Sequence, residues 1–334
     1  MTRPRVLVVD DSAFARTVIS KLLRMSGEID VAGIARDGED ALEKIQNLDP
    51  DVITLDLTMP GLDGLGVLRA LAGRPRPRVI VVSISSIDTE IGAEALALGA
   101  VDLVAKPTAF ANDRLNEIGD ELVAKVLALA AKPVEVAIAA PAPRGIAKTA
   151  VILVGTSTGG PQALTRLISD LPKDLGAPMC IALHIPEGYT QSLAARLDKL
   201  TPLRVVEAES GLILAPGMVV LARGGSHLRI HRHASNLVTE VSVVPVRAFA
   251  PSVDELFESG ARAAGAGVLG VVMTGMGDDG LAGAREIVAA GGSMITESAA
   301  TCVVYGMPRS VDEANLGATS VRLDAIGTEL SRRV

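Results

Sequence analysis

Residues 150–160 read AVILVGTSTGG, an apolar run of five residues that leads into a glycine-rich turn. A short run that is apolar throughout is typical of a strand covered on both faces, and such strands form parallel sheets flanked by helices. The glycines allow a sharp turn from strand to helix, and Pro161 suits the first turn of the helix that would follow. The stretch therefore predicts one strand–turn–helix unit of an α/β fold.

The same alternation of apolar runs and amphipathic stretches extends over most of the chain. It predicts a doubly wound, five-stranded parallel sheet in the N-terminal part, with strands at 5–9, 31–35, 52–56, 79–83 and 102–104. It also predicts a second doubly wound, mainly parallel α/β domain, with strands at 150–154, 179–183, 203–206, 218–222, 267–273 and 292–296.

A linker separates the two predicted domains. Residues 132–148 carry three prolines and one glycine among small residues, which is typical of a semi-rigid connection. We therefore expect domains at 1–128 and 149–334, with the linker at 129–148.

The composition limits the class of protein. Of the 334 residues, 49% are hydrophobic but only 2% are aromatic, so the cores must be built from Ala, Val, Leu and Ile. The net charge of −7 and the scarcity of aromatic residues oppose binding to nucleic acid. No apolar segment reaches the roughly 18–20 residues that span a bilayer, and residues 1–12 have the pattern of a first strand rather than of a signal peptide. We expect a soluble, cytoplasmic protein without direct membrane insertion.

Charged and hydroxyl side chains stand where the predicted N-terminal strands end. They are Asp10, Asp11, Asp56, Ser83 and Lys106. The first and third strands of a doubly wound sheet can lie side by side, so their carboxylates would converge and need a hard cation such as Mg²⁺. A Mg²⁺ ion, a lysine and a hydroxyl around one aspartate form a site that can accept a phosphoryl group. One such acid alone would indicate only a solvated strand end, but the whole set predicts a site.

The motifs VLVVDDS, DVITLDLTMPGLDGL, VVS and GAVDLVAKP resemble the receiver domain of bacterial two-component response regulators, over residues 5–128. The resemblance implies a flavodoxin-like fold in which Asp56 is the phosphoacceptor. It also implies a set of Mg²⁺ ligands, namely Asp10, Asp11, Asp56 and the backbone carbonyl of Thr58.

In the same resemblance, Ser83 and Lys106 would sense the phosphoryl group. Two residues depart from the family pattern. Leu103 stands where many receivers have a switching aromatic residue, and Thr58 stands where an acid or Asn is frequent. The first departure bears on the coupling of phosphorylation to output, and the second bears on the lifetime of the phosphoryl group.

The glycine-rich turn at 155–160 has more than one interpretation. Residues 155–159 fit the pattern G-x-S-x-G, which exposes a nucleophilic serine, here Ser157. A phosphate-binding loop is less well supported, because neither GxxxxGK[ST] nor GxGxxG is present and no lysine follows the glycines. On this motif alone, a plain tight turn is about as well supported as a nucleophile.

A nucleophilic serine needs a base, and the chain has four histidines. His184 ends a predicted strand, as Ser157 follows its own, so a parallel sheet would bring both residues to one edge. His227 could border a pocket or cap a turn. His231 and His233 lie in the polar stretch RIHRH, which is typical of a solvated strand edge.

The third member of such a site would be a carboxylate that orients the imidazole. Residues 274–280, TGMGDDG, follow a predicted strand and place Asp278 and Asp279 at the same sheet edge. Their spacing does not choose between the two. The glycines around Met276 leave backbone N–H groups free to face an oxyanion.

The order Ser, His, Asp along the chain differs from the α/β-hydrolase order, but it matches another family. GTSTGGPQAL, HIPEGYTQSLAARLD, LAPG, GGSHL, PSVDELF, MTGMGDDG and VVYGMP together resemble the catalytic domain of the CheB family of chemotaxis protein-glutamate methylesterases. The resemblance implies that Ser157 is the nucleophile, His184 the general base and Asp279 the orienting acid, with the backbone N–H of Met276 as oxyanion donor.

The two resemblances together imply a phosphorylation-activated hydrolase of the two-component chemotaxis system. It would cleave glutamyl methyl esters, and deamidate glutamines, on the cytoplasmic helices of chemoreceptors, with a CheA-like histidine kinase as phosphodonor. Mg²⁺ is expected in the receiver domain and no cofactor in the catalytic domain. Departures at Arg223, where proline is usual, and at Glu297, where Gln is common, bear on the substrate pocket.

Two alternatives belong to other classes of protein. A response regulator with a DNA-binding output is opposed by the acidic charge and by the α/β pattern in place of a basic helix-turn-helix. A phosphorylation-controlled binding adaptor with a degenerate hydrolase site is opposed by the intact Ser157, His184 and Asp279.

Overall fold

The structure is a computed structural model that describes residues 3–74, 76–83, 89–106, 112–131 and 148–334, with the backbone alone at 112–117. The chain forms two compact units, Met1–Lys132 and Pro133–Val334. Most of the linker predicted at 129–148 lies outside the described residues. No helix among the described residues is both long enough and apolar enough to cross a membrane.

The N-terminal unit is built on one five-stranded parallel sheet, in the order β2-β1-β3-β4-β5. Its strands are β1 (Arg5–Val9), β2 (Asp30–Ala35), β3 (Val52–Leu55), β4 (Arg78–Ser83) and β5 (Asp102–Ala105). Its helices are α1 (Ala13–Met25), α2 (Gly38–Leu48), α3 (Gly64–Leu71), α4 (Thr89–Ala97) and α5 (Asn112–Ala130). The predicted doubly wound fold is confirmed, since β1 and β3 are neighbours although β2 lies between them in sequence.

The C-terminal unit contains a seven-stranded parallel sheet, in the order β14-β13-β12-β6-β7-β9-β8. Its strands are β6 (Val151–Thr156), β7 (Met179–Leu183), β8 (Arg204–Glu207), β9 (Met218–Leu221), β12 (Val268–Val272), β13 (Ser293–Glu297) and β14 (Thr319–Val321). Its helices are α6 (Gly160–Ser169), α7 (Thr190–Asp198), α8 (Val253–Ala264), α9 (Leu281–Ala289), α10 (Met307–Glu313) and α11 (Leu323–Arg333). All six strands predicted for this domain are present, and the mainly parallel α/β fold is confirmed.

An antiparallel hairpin is the main element that the sequence did not predict. It consists of β10 (His227–His233) and β11 (Asn236–Ser242). Its far end is solvated, and His231 and His233 are exposed there, as the sequence predicted for a strand edge. The hairpin was missed because its polar side chains and short turn give no continuous apolar run.

The carboxyl ends of β6, β12 and β13 are joined through Thr274. Its carbonyl accepts hydrogen bonds from the Ser157 N–H at 3.0 Å and from the Thr156 hydroxyl at 2.7 Å. Its own hydroxyl donates to the Thr158 carbonyl at 2.9 Å, and its N–H donates to Glu297 Oε2, also at 2.9 Å. Glu297 is fully buried, and its Oε1 atom has no hydrogen-bond partner in the described part of the chain. Burial therefore raises the pKa of the Glu297 carboxyl.

A buried ion pair fastens α5 to β5 in the N-terminal unit. Lys125 Nζ lies 3.0 Å from Asp102 Oδ1 and 2.8 Å from Glu121 Oε1, and it donates to the Leu103 carbonyl at 3.1 Å. Lys125 and Asp102 are both buried. Although burial alone would lower it, the pKa of Lys125 is raised because two carboxylates surround the ammonium group.

Replacing Lys125 with methionine should destabilise the N-terminal unit by about 3 kcal/mol, because the Asp102 carboxylate would stay buried without its counter-charge. Urea unfolding of both chains, followed by circular dichroism, measures this loss. The exposed Lys21 on α1 provides the matched control, since Lys21→Met should change the free energy of unfolding by less than about 0.5 kcal/mol. Equal effects of the two substitutions would contradict the assigned role of the buried pair.

Replacing Glu297 with glutamine should stabilise the C-terminal unit more at high pH than at low pH. A carboxyl whose folded pKa is raised favours the unfolded state as pH increases from the ordinary value through the folded value. Glutamine does not ionise, so the variant escapes this loss, and its amide oxygen can accept from the Thr274 N–H in the place of Oε2. Thermal unfolding of both chains at about pH 5 and about pH 8 provides the test. A stability difference that is the same at both pH values would show that Glu297 is not buried as described.

Candidate active site and phosphoryl-acceptor site

The central strands of the C-terminal sheet bring Ser157 and His184 to one edge. Ser157 directly follows β6 and His184 directly follows β7, and these neighbouring strands pair Thr156 with Leu183. The His184 N–H donates to the Thr156 carbonyl at 3.1 Å, which continues the ladder by one residue. The two residues predicted from strand ends are therefore placed side by side by backbone pairing.

The imidazole of His184 is bonded to one of the two candidate aspartates. His184 Nε2 lies 2.7 Å from Asp279 Oδ2, and both side chains are about 9% exposed. Asp278 is exposed. The carboxylate of Asp279 can only accept a hydrogen bond when ionised, so Nε2 carries the imidazole proton. Nδ1 is then the basic nitrogen, and it is buried without a hydrogen-bond partner in the described residues.

Asp279 is held by the N-terminus of α8 as well as by His184. Its Oδ2 accepts from the Val253 N–H at 2.7 Å, and its Oδ1 accepts from the Asp254 N–H at 3.0 Å and from the Ser252 hydroxyl at 3.1 Å. Burial alone would raise the pKa of the Asp279 carboxyl, but the bonds from His184 and from the two N–H groups lower it. Asp279 is therefore a fixed anion beside the histidine.

The loop after β12 supplies the candidate oxyanion donor. In the described residues, no backbone carbonyl accepts from the Met276 N–H, whereas the neighbouring Gly275 is bonded on both sides. A Cβ atom at Gly275 would lie 2.9 Å from the Ser157 Cβ, so only glycine lets this loop approach the serine so closely. Free N–H groups next to a serine are the arrangement that stabilises a tetrahedral oxyanion.

Phe249 completes the surroundings of the histidine, and sequence reasoning missed it. Its ring stacks on the imidazole of His184, with ring centroids 4.2 Å apart and planes 13° from parallel. Phe249 is 41% exposed, so one face covers the histidine and the rest meets solvent. One of only four phenylalanines in the chain, in a segment without strand or helix pattern, was the available signal.

His227 is a buried structural residue and not a second base. Its Nδ1 accepts from the Ser252 N–H at 3.2 Å, and its Nε2 lies 2.9 Å from the Pro245 carbonyl. His227 is thereby hydrogen-bonded to both ends of the segment 245–252, which carries Phe249. Of the alternatives that the sequence left open for His227, the structure favours the capping of a loop.

The predicted acidic cluster forms at the carboxyl edge of the N-terminal sheet. Carboxylate oxygens of Asp10, Asp11 and Asp56 all lie within 4.8 Å of one another. Lys106 Nζ lies 2.6 Å from Asp10 Oδ2 and 2.8 Å from Asp56 Oδ2. Ser83, the last residue of β4, is buried at the same edge and accepts the Lys106 N–H with its carbonyl at 2.7 Å.

The charges of this cluster suit a divalent cation. Burial and the nearby Asp10 raise the pKa of the Asp56 carboxyl, although Lys106 and the Thr58 N–H act in the opposite direction. The pKa of Lys106 is raised against its burial, because Asp10 and Asp56 both bond to it. Three carboxylates with one ammonium group leave an excess of negative charge, and an all-oxygen donor set is what Mg²⁺ prefers.

Each of the two units matches the model of a known protein family. The family model described as "CheB methylesterase" matches residues 152–330, and the one described as "Response regulator receiver domain" matches residues 6–118. The crystal structure of the Thermotoga maritima CheB methylesterase catalytic domain is 35% identical, with a TM-score of 0.55, and the match covers 56% of this chain and 100% of that one.

Curated relatives match over nearly the whole chain. "Protein-glutamate methylesterase/protein-glutamine glutaminase 5" of Myxococcus xanthus (strain DK1622) is 55% identical over 99% of this chain and 98% of its own length. The "Protein-glutamate methylesterase/protein-glutamine glutaminase" of Symbiobacterium thermophilum is 42% identical over 99% of this chain and 97% of its own length. With both parts matched in order, the chain belongs to the CheB methylesterase family and carries a response regulator receiver domain ahead of the methylesterase domain.

Proposed function

We propose that this protein removes methyl groups from glutamyl methyl esters of chemoreceptors by a Ser157–His184–Asp279 acyl-enzyme mechanism. The observation that carries the proposal is the bond from His184 Nε2 to the ionised Asp279, which leaves Nδ1 as a buried base at the strand end beside Ser157. The protein is accordingly a protein-glutamate methylesterase, as its relatives are named.

In the first half of the reaction, Ser157 Oγ attacks the ester carbonyl carbon while His184 Nδ1 takes the hydroxyl proton. Asp279 stabilises the imidazolium that results, and the Met276 N–H donates to the oxyanion. As the carbon–oxygen bond to the leaving group breaks, His184 returns its proton and methanol departs. Water then attacks the acyl-enzyme with the same base, which releases glutamate and restores Ser157.

The same residues account for the glutaminase activity in the relatives' names. With a receptor glutamine as substrate, ammonia replaces methanol as the leaving group and takes its proton from His184. The acyl-enzyme is identical in the two reactions, so no further residue is needed. The catalytic domain, proposed at 149–334, needs no cofactor for either reaction.

We assign the receiver domain to residues 1–128 and the linker to 129–148, with Asp56 as phosphoacceptor and a CheA-like histidine kinase as phosphodonor. Asp10, Asp11, Asp56 and the Thr58 carbonyl would hold Mg²⁺, which when bound neutralises negative charge around the incoming phosphoryl group. Lys106 would then pair with a phosphoryl oxygen, and Ser83 would respond to it by hydrogen bonding.

The proposed substrates are methylated helices of chemoreceptors on their cytoplasmic side, and we place the enzyme in the cytoplasm for that reason. A binding adaptor with a degenerate site is not favoured, because Ser157, His184 and Asp279 are intact and the relatives bear the names of enzymes. Labelling of Ser157 by an active-serine reagent would separate the two functions directly.

Replacing Ser157 with alanine should lower methanol release from a methylated receptor fragment by a factor on the order of 10⁶, because the acyl-enzyme can no longer form. Thermal unfolding should be unchanged. Ser169→Ala, on an exposed turn of α6, provides the control and should retain full activity. Activity of Ser157→Ala within tenfold of the unmodified chain would rule out the proposed nucleophile.

Replacing Asp56 with asparagine should abolish the response to a small phosphodonor with Mg²⁺. In the unmodified chain that response should reach about tenfold, since a shift of ~1.4 kcal/mol between inactive and active states suffices. Asp63→Asn is the control, because Asn caps α3 as well as Asp does. Stimulation that persists in Asp56→Asn would place the phosphoryl group elsewhere.

A further inference from the structure

Two aspartates link the N-termini of α8 and α9. Each of them accepts hydrogen bonds from backbone N–H groups at the start of the other helix. Asp279, which precedes α9, accepts from the N–H groups of Val253 and Asp254 in the first turn of α8. Asp254 in turn caps α9, because its Oδ1 accepts from the N–H groups of Gly280 at 2.9 Å and Gly283 at 2.7 Å. The start of each helix therefore receives an acceptor from the other, and α8 also has its own N-cap, since the Ser252 hydroxyl accepts from the Glu255 N–H.

The sequence of α9 makes the cap from Asp254 necessary. The residue at the N-cap of α9 is Gly280, which has no side chain to accept from the N–H groups of the first turn. Its φ of +101° is also one that other residues rarely adopt. Without Asp254, the turn that carries Asp279 would have to satisfy its N–H groups with solvent.

The close approach of α8 and α9 depends on Gly280 and Gly283, whose N–H groups are those that Asp254 caps. A Cβ atom at Gly280 would lie 2.8 Å from Val253 Cγ1, and one at Gly283 would lie 2.4 Å from Phe257 Cβ. The helices are thus packed to contact where the caps are exchanged, so a shift of one helix would pull on both aspartates.

From this geometry we propose that Asp254 is a positioning residue of the catalytic site, which holds the carboxylate of Asp279 in register with His184 by capping α9. Asp254 has no hydrogen bond to His184 or Ser157 in the described residues, so it acts through Asp279. The inference rests on the proposed function, since it assigns Asp279 the role of orienting the base. Nothing in the sequence alone distinguishes Asp254 from an ordinary acid in the first turn of a helix.

Asp254 also adds negative charge beside Asp279. Burial and the adjacent Asp279 raise the pKa of Asp254 to about 6, with Glu258 on α8 acting in the same direction. The pKa of Arg247, in the segment before α8, is raised chiefly by its hydrogen bonds to Glu255, and Asp254 adds a smaller effect in the same direction. Near neutral pH a second carboxylate therefore lies close to Asp279, on the side of α8.

The test compares Asp254→Ala with Asp254→Asn in the full chain. Alanine removes the acceptor for both N–H groups, so kcat should fall by roughly 10- to 100-fold with KM within about twofold, since a small displacement of a catalytic group has costs of this order. Asparagine keeps one oxygen in the place of Oδ1 and should restore kcat to within about threefold. Asp324→Ala removes a first-turn aspartate from α11 and is the matched control, with unchanged kcat.

One further readout separates positioning from a general loss of structure. Thermal unfolding gives the folded fraction of each variant at the assay temperature, and kcat is corrected for it. Unchanged kcat in Asp254→Ala, or equal losses of kcat in both Asp254 variants, would overturn the proposal.

The rate of Ser157 acylation by an active-serine reagent is measured in the same variants. If the unmodified chain is acylated but releases no methanol, the proposed substrate is wrong, and the acylation rates then decide the role of Asp254. Slower acylation in Asp254→Ala, restored in Asp254→Asn, supports positioning, and equal rates in all three chains contradict it.

Discussion

The backbone pairing of β6 with β7 on one side and with β12 on the other is the constraint on which the rest of the C-terminal unit depends. Parallel strands in register end at one edge, so the residues that follow them are neighbours whatever their distance in sequence. Ser157, His184 and the loop after Thr274 meet for this reason. Each of these strands is fully buried along its length, so both of its faces pack against the rest of the unit.

In each unit the candidate functional residues lie at the carboxyl edge of that unit's own parallel sheet. The two edges differ in their electrostatics. In the catalytic unit, the Asp279 carboxylate receives four hydrogen bonds, two from the backbone at the start of α8, and little about it is left to rearrange. In the receiver unit, Asp10 and Asp56 share the ammonium group of Lys106, and the Asp11 carboxylate lies within 4.8 Å of both. The catalytic edge is organised before substrate arrives, whereas the negative charge of the receiver edge is offset further only when a cation enters it. This contrast fits a catalytic site that is preorganised and a receiver site whose charge changes during signalling.

Sequence reasoning reached the parts of the molecule that depend on local pattern. Apolar runs placed every strand of both sheets except the short β14, and strand ends then placed Ser157, His184 and the acidic cluster. It could not choose between Asp278 and Asp279 without a family resemblance, because the choice is made by the start of α8, which is distant in sequence. The roles of Phe249 and Asp254 were not predicted from the sequence, for a related reason. Their partners lie across the fold, and neither residue type has a local pattern that indicates such a contact.

The identity of the basic nitrogen in His184 also affects how this site can be found in other structures. Geometric templates drawn from chymotrypsin-like proteases expect the serine to face Nε2 and the aspartate to face Nδ1. Here the aspartate faces Nε2, so the imidazole is turned end for end relative to that template. A search that fixes atom names would pass over this constellation, whereas one that treats the two ring nitrogens as interchangeable would retrieve it. Convergence on a serine hydrolase can thus preserve the chemistry of three side chains without preserving the atoms through which they meet.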